Sequence, residues 1–146
     1  MELKSFYVAG TRDESLSFLS DSLSKGGYVK EGYKESLLER EEKYPTGLVL
    51  ADSVNVAIPH TETEFVNEDV FVIGVPQNDI KFRRIDDPTT EVCVDLIFLF
   101  VIKNPQKYVK VLSALTENFA NEEFLGYMGR KNLTKVEEHI RKHILQ

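Results

Sequence analysis

Two apolar runs in the second half of the chain restrict its fold more than any other feature. Val70 to Val75 is apolar apart from Gly74 and is broken by Pro76, and Leu96 to Ile102 is apolar throughout. A strand with one wet face alternates apolar and polar residues, so unbroken runs of this length read as strands covered on both faces. Helices have to supply the cover, and their signatures are present. Thr11 with Glu14 makes a capping box, and Leu16, Leu19 and Leu23 then recur on one helical face until Gly26-Gly27. A second helix is predicted from near Tyr33 to Glu42, ended by Pro45. Asn104 as N-cap and Pro105 at the first helical position open a third, with Tyr108, Val111, Leu112, Leu115 and Phe119 on its apolar stripe. Two more helices close the chain. The last turns Val136, Ile140 and Ile144 inward and Lys135, Glu137 and Arg141 outward.

Further strands are expected around Phe6 and Val8, at Gly47 to Leu50 and Val54 to Ile58 around a turn near Asp52-Ser53, at Ile80 to Phe82, and continuously from Glu91 to Ile102. Helical and strand periods interleave without linkers or repeats. The expected class is therefore α/β, one domain over residues 1–146, with a mixed parallel and antiparallel sheet flanked by helices on both faces.

Composition excludes more than it identifies. The formal net charge of −6 argues against sequence-independent nucleic-acid binding, which needs a basic face to displace phosphate counterions. The longest apolar stretch falls far short of the ~20 residues of a membrane-spanning helix. The start Met1-Glu2-Leu3-Lys4 leads into no apolar signal segment, and the single Cys93 forbids an intrachain disulfide, so the cytoplasm is the expected compartment. Cys93, between Val92 and Val94, reads as a small buried apolar residue. His139 and His143 have the i, i+4 spacing of a helical metal pair. Ile140, Arg141 and Lys142 between them supply no carboxylate, so they read as surface or helix-end histidines and no metal site is expected.

The remaining histidine, His60, ends the run Val56-Ala57-Ile58-Pro59-His60. Pro59 offers no N–H to a sheet and biases Ile58 to extended geometry, so the strand stops and presents the imidazole stiffly. With an ordinary pKa near ~6.5, such an imidazole is largely neutral and nucleophilic at pH 7. From the pentapeptide alone, a loop histidine and a nucleophile both remain open. Upstream stands Arg40-Glu41, followed by Tyr44-Pro45-Thr46-Gly47.

This ordered set of Arg-Glu, Thr-Gly and Ala-Ile-Pro-His resembles enzyme IIA of the sugar phosphotransferase system, in the fructose/mannitol superfamily. With its aromatic-Pro-Thr-Gly step it is most similar to the galactitol-type enzyme IIA. The resemblance implies that His60 takes a phosphoryl group from the phosphohistidine of HPr and passes it to a cysteine of enzyme IIB. Through enzyme IIC, this would drive uptake of galactitol or a related polyol. It implies neither metal nor nucleotide, because the phosphoramidate donor already carries the transfer potential. A regulatory module, in which phosphorylated His60 controls binding to a regulator, is the alternative.

Phosphoryl transfer passes through a loose transition state with charge spread over three oxygens, so the site needs cations and N–H donors. Arg40 fits, since a guanidinium contacts two phosphate oxygens at once and stays charged at physiological pH. Its helical neighbours Ser36, Leu37, Lys43 and Tyr44 include no carboxylate to occupy it. The Thr46 hydroxyl either bonds the phosphoryl or orients its loop, and Thr61 and Thr63, close after His60, either line the phosphate position or are solvated loop residues. Fructose- and mannitol-type members commonly carry a second histidine where Tyr108 stands here; its phenol is then either a donor to a phosphoryl oxygen or part of the core. Glu62 and Glu64 read as solvated loop charges.

Overall fold

A computed structural model describes all residues, Met1–Gln146. Its main sheet contains β1 (Glu2–Val8), β2 (Gly47–Val49), β3 (Asn55–Ala57), β4 (Val70–Pro76) and β7 (Leu96–Val101), in the order β1-β4-β7-β3-β2. Pairs β1/β4 and β3/β7 are parallel, whereas β4/β7 and β2/β3 are antiparallel, which makes the sheet mixed as expected. A separate ribbon pairs β5 (Lys81–Arg83) with β6 (Glu91–Cys93). The helices are α1 (Arg12–Lys25), α2 (Tyr33–Lys43), α3 (Pro105–Asn118), α4 (Glu122–Gly129) and α5 (Leu133–His143).

The two apolar runs become β4 and β7, and every residue of both is buried. Period 2 divides their side chains between two cores. Phe71, Ile73, Val75, Phe98 and Phe100 face α3, α4 and α5, with Phe98 at 5.9 Å from Phe71, 6.2 Å from Phe119 and 6.4 Å from Phe124 between ring centroids. Val70, Val72, Ile97, Leu99 and Val101 face α1 and α2, against Leu16, Leu19, Leu23, Tyr33 and Leu37. Gly74 lets α1 close on the sheet, because a Cβ there would lie 3.2 Å from Ile97 Cβ and 3.4 Å from Leu19 Cδ1.

The caps form as their residues dictate. Thr11 and Glu14 make the reciprocal capping box of α1, and Asn104 accepts from the N–H groups of Gln106 and Lys107 beneath Pro105.

Three expectations fail. Glu91 to Ile102 is not one strand. β6 ends at Cys93, and Asp95 turns the chain into the main sheet by exchanging bonds with Asn55: Asn55 N–H donates to Asp95 Oδ2 at 2.9 Å, and Asp95 N–H donates to the Asn55 carbonyl at 2.7 Å. A carboxylate within an apolar run thus marks a change of sheet. Cys93, consequently, lies exposed on the ribbon rather than buried. His139 departs from the surface reading as well. Its ring stacks on Phe124 at 4.3 Å and 10°, and its Nε2–H donates to Asn118 Oδ1 at 2.8 Å, which ties α5 to α3. No group of three or more metal-ligating side chains exists in the structure.

Candidate functional site

β3 is the short strand between β2 and β7, and its exit carries Pro59 and His60 to the rim of the sheet. There the half-buried imidazole meets α2 and the start of α3. His60 Nδ1 lies 3.2 Å from the Ile58 carbonyl oxygen. A carbonyl only accepts, so the bond requires a proton on Nδ1 and leaves the lone pair on Nε2. Burial lowers the pKa of His60 below its ordinary value, and the charge of Arg40 lowers it further, against opposing pulls from the Ile58 carbonyl and Glu62. The imidazole is therefore neutral at pH 7, with Nε2 as its nucleophilic atom.

Arg40 reaches the site from α2. Its Nη1 donates to Glu62 Oε1 at 3.0 Å, and its guanidinium lies 5.6 Å from the centroid of the Tyr44 ring. Its Nε is buried and has no hydrogen-bond acceptor. An unpaired buried donor on a cation costs free energy unless an acceptor arrives, and an oxyanion bound beside His60 would be one. Glu62 is the exposed loop charge expected of it, and it is also the counter-ion of Arg40. A cleft of about 480 Å³ opens between α2 and this loop, with Arg40, Lys43 and Glu62 among its lining.

Tyr108, in the first turn of α3, has its ring 6.0 Å from that of His60 and 4.8 Å from that of Phe100. Burial raises its phenol pKa, against a smaller lowering by Arg40, so the group stays protonated and keeps an O–H to donate. Tyr108 therefore packs on the core, one of the two readings open to it, and its ring flanks the imidazole. Thr61 hydrogen-bonds Ser36, one turn before Arg40 on α2.

Thr46 is buried. Both its N–H (2.8 Å) and its hydroxyl (2.9 Å) donate to the carboxylate of Glu41, so of the two roles open to it the loop-orienting one matches its bonds. Glu41 is itself a residue that sequence reasoning passed over. Burial pushes its carboxyl up to about 7, against the lowering effect of the two Thr46 bonds, Arg12 and Arg83. A signal existed: Tyr33, Leu37 and Glu41 follow at intervals of four, which puts the carboxylate on the buried stripe of α2. Ser36 and Glu62 lacked one, because each meets its partner across more than twenty residues.

The family model described as "Phosphoenolpyruvate-dependent sugar phosphotransferase system, EIIA 2" matches residues 6–143. The chain belongs to this family. Among curated relatives of this EIIA chain, the galactitol-specific EIIA component of Escherichia coli (strain K12) is 26% identical over 134 residues, which are 92% of this chain and 88% of that protein. Among solved structures, the complex of enzyme IIA-mannitol with phosphorylated enzyme IIB-mannitol from Escherichia coli superposes with a TM-score of 0.64 at 23% identity, over 86% of this chain and 83% of that one. A putative PTS IIA (PtxA) from Streptococcus mutans gives 0.67 at 19% identity, over 96% and 89%. These structures share the α/β fold described above. No helix of this EIIA is long and apolar enough to cross a membrane.

Proposed function

We propose that this EIIA is a cytoplasmic phosphoryl relay in which His60 Nε2 is the acceptor. The donor is the phosphohistidine of HPr, and the recipient is a cysteine of an enzyme IIB serving galactitol or a related polyol. One observation carries the reading: the Ile58 carbonyl holds Nδ1–H, which leaves the lone pair on Nε2, and the imidazole feels the charge of Arg40, whose buried Nε–H lacks an acceptor. Similarity to a galactitol-specific component supports the substrate class, and the fold shared with an enzyme IIA in complex with phosphorylated enzyme IIB supports the recipient.

In the forward step the Nε2 lone pair forms a bond to phosphorus while the donor's N–P bond breaks and the donor imidazole leaves with the electron pair. Charge on the three equatorial oxygens is met by the Arg40 guanidinium, with the Tyr108 hydroxyl as a further donor. The Ile58 carbonyl holds the Nδ1 proton throughout and stabilises the positive charge that the ring acquires. In the return step a cysteine thiolate attacks phosphorus, and Nε2 recovers its lone pair. Little covalent chemistry falls to the protein, so positioning and charge account for the rate.

The test supplies radiolabelled phosphoenolpyruvate, enzyme I and HPr, then adds a galactitol-type enzyme IIB. Label should reach enzyme IIB through wild-type EIIA and not through His60→Ala. Arg40→Ala should fold normally and transfer about 100-fold more slowly, the scale for removing one transition-state donor; an undiminished rate would remove Arg40 from the mechanism. Label that stops on EIIA would point instead to a regulatory module controlled by His60 phosphorylation.

A further inference from the structure

Glu41 occupies a position where a carboxylate is costly. It is 1% exposed, it continues the apolar stripe of Tyr33 and Leu37, and it lies in the last turn of α2, where the helix dipole disfavours negative charge. Its hydrogen-bond partners are the N–H and hydroxyl of Thr46, itself 3% exposed. The Thr46 carbonyl accepts in turn from the Ile58 N–H at 3.4 Å, and the Ile58 carbonyl accepts from His60 Nδ1–H at 3.2 Å. An unbroken chain of hydrogen bonds therefore runs from the helical residue next to Arg40 to the imidazole.

We propose that Glu41 is a positioning residue for His60: through Thr46 and Ile58 it fixes the imidazole, in the tautomer with Nδ1 protonated, at a set distance from Arg40. The inference rests on the reading of His60 as phosphoryl acceptor. Ser36 completes the arrangement from the other side by bonding Thr61, so α2 grips the chain on both flanks of His60 with Arg40 between the two holds. An apolar residue at position 41 would suit the core but could not direct Thr46. The carboxylate supplies two acceptor oxygens in fixed directions, which packing does not. A misplacement of ~1 Å between reacting groups can slow a reaction about 100-fold, which sets the size of the effect.

The test follows four variants, Glu41→Ala, Glu41→Gln, Thr46→Val and Thr46→Ser, by two readouts. One is the rate of His60 phosphorylation by phospho-HPr, separated into maximal rate and HPr dependence. The other is the His60 tautomer from long-range proton–nitrogen correlation on ¹⁵N-histidine protein, which needs no activity. Glu41→Ala and Thr46→Val should lower the maximal rate roughly tenfold to 100-fold with an unchanged HPr dependence, and should shift His60 toward mixed tautomers.

Glu41→Gln should stay within about threefold of wild type, because its amide offers one acceptor to the Thr46 N–H and one donor to the hydroxyl. Thr46→Ser should recover as well. If Glu41→Ala does not fold, the Thr46 pair decides the matter alone. Normal rate and tautomer in folded Thr46→Val, or a Glu41→Gln as slow as Glu41→Ala, would overturn the proposal. Absence of phosphate on wild-type His60 would overturn the underlying reading instead, and the tautomer measurement would still report on the chain of bonds.

Discussion

At the scale of single residues, the site is a competition for one guanidinium. Arg40 is held by Glu62 at 3.0 Å, yet its Nε–H has no acceptor. The pair lies at the surface, with the Glu62 side chain 60% exposed, so it contributes at most about 1 kcal/mol. On the proposed reading, a phosphoryl group would offer Arg40 three anionic oxygens and an acceptor for Nε, enough to displace such a partner. Glu62→Gln should therefore accelerate phosphorylation of His60 by up to about fivefold, the rate equivalent of that energy; a slower variant in stopped-flow transfer would show that Glu62 assists rather than competes.

His60 itself has a lowered pKa, so the folded state binds its proton more weakly than the unfolded chain does. The neutral, reactive form then persists below the ordinary histidine range. The transfer rate should fall to half its plateau only at a pH below the ordinary histidine value of ~6.5, with stability also declining as pH drops below that value. A rate that halves already at neutral pH would contradict the assignment.

At the scale of elements, the site depends on where β3 stops and on what closes over β2. Gly47 begins β2, and a Cβ there would lie 2.7 Å from the Arg83 carbonyl oxygen and 3.2 Å from its carbon, which are backbone atoms unable to swing aside. The same approach lets Ile85 N–H donate to the Gly47 carbonyl at 2.9 Å, locking the β5 segment against the loop that holds Thr46. Gly47→Ala should cost about 1–3 kcal/mol of stability in urea unfolding, as overpacking does, and should slow transfer because Thr46 moves with it. Unchanged stability would show the contact to be slack.

Much of this level was legible in the sequence. Caps, proline breaks and apolar periods are local rules, and they located α1, α3, β4 and the strand that presents His60. The failures share one cause. Asp95 takes the bonds of Asn55, 40 residues away, and so ends a strand that looked continuous, while Cys93 is turned outward by joining a ribbon that no local pattern announces. Glu41 was legible in principle from its place on the buried stripe, but its meaning appears only once Thr46 and Ile58 are seen to lead to His60.

At the scale of the molecule, two cores on opposite faces of one sheet hold the site between them. α2 packs with the core that contains Leu19 and Leu99, while Tyr108 of α3 packs with the core that contains Phe98 and Phe100. His60 leaves the sheet beside Tyr108 of α3 and within reach of the charge of Arg40 on α2, so both groups are carried to it by helices packed on the sheet rather than by loops. A relay needs this rigidity, since its catalysis is positioning and charge alone. The most direct measurement of the account is the intact mass of EIIA after incubation with enzyme I, HPr and phosphoenolpyruvate. One phosphate should appear on the wild-type chain, should be lost on brief acid treatment as a phosphoramidate is, and should be absent from His60→Ala. A wild-type chain that gains no phosphate, or a His60→Ala chain that still gains one, would contradict it.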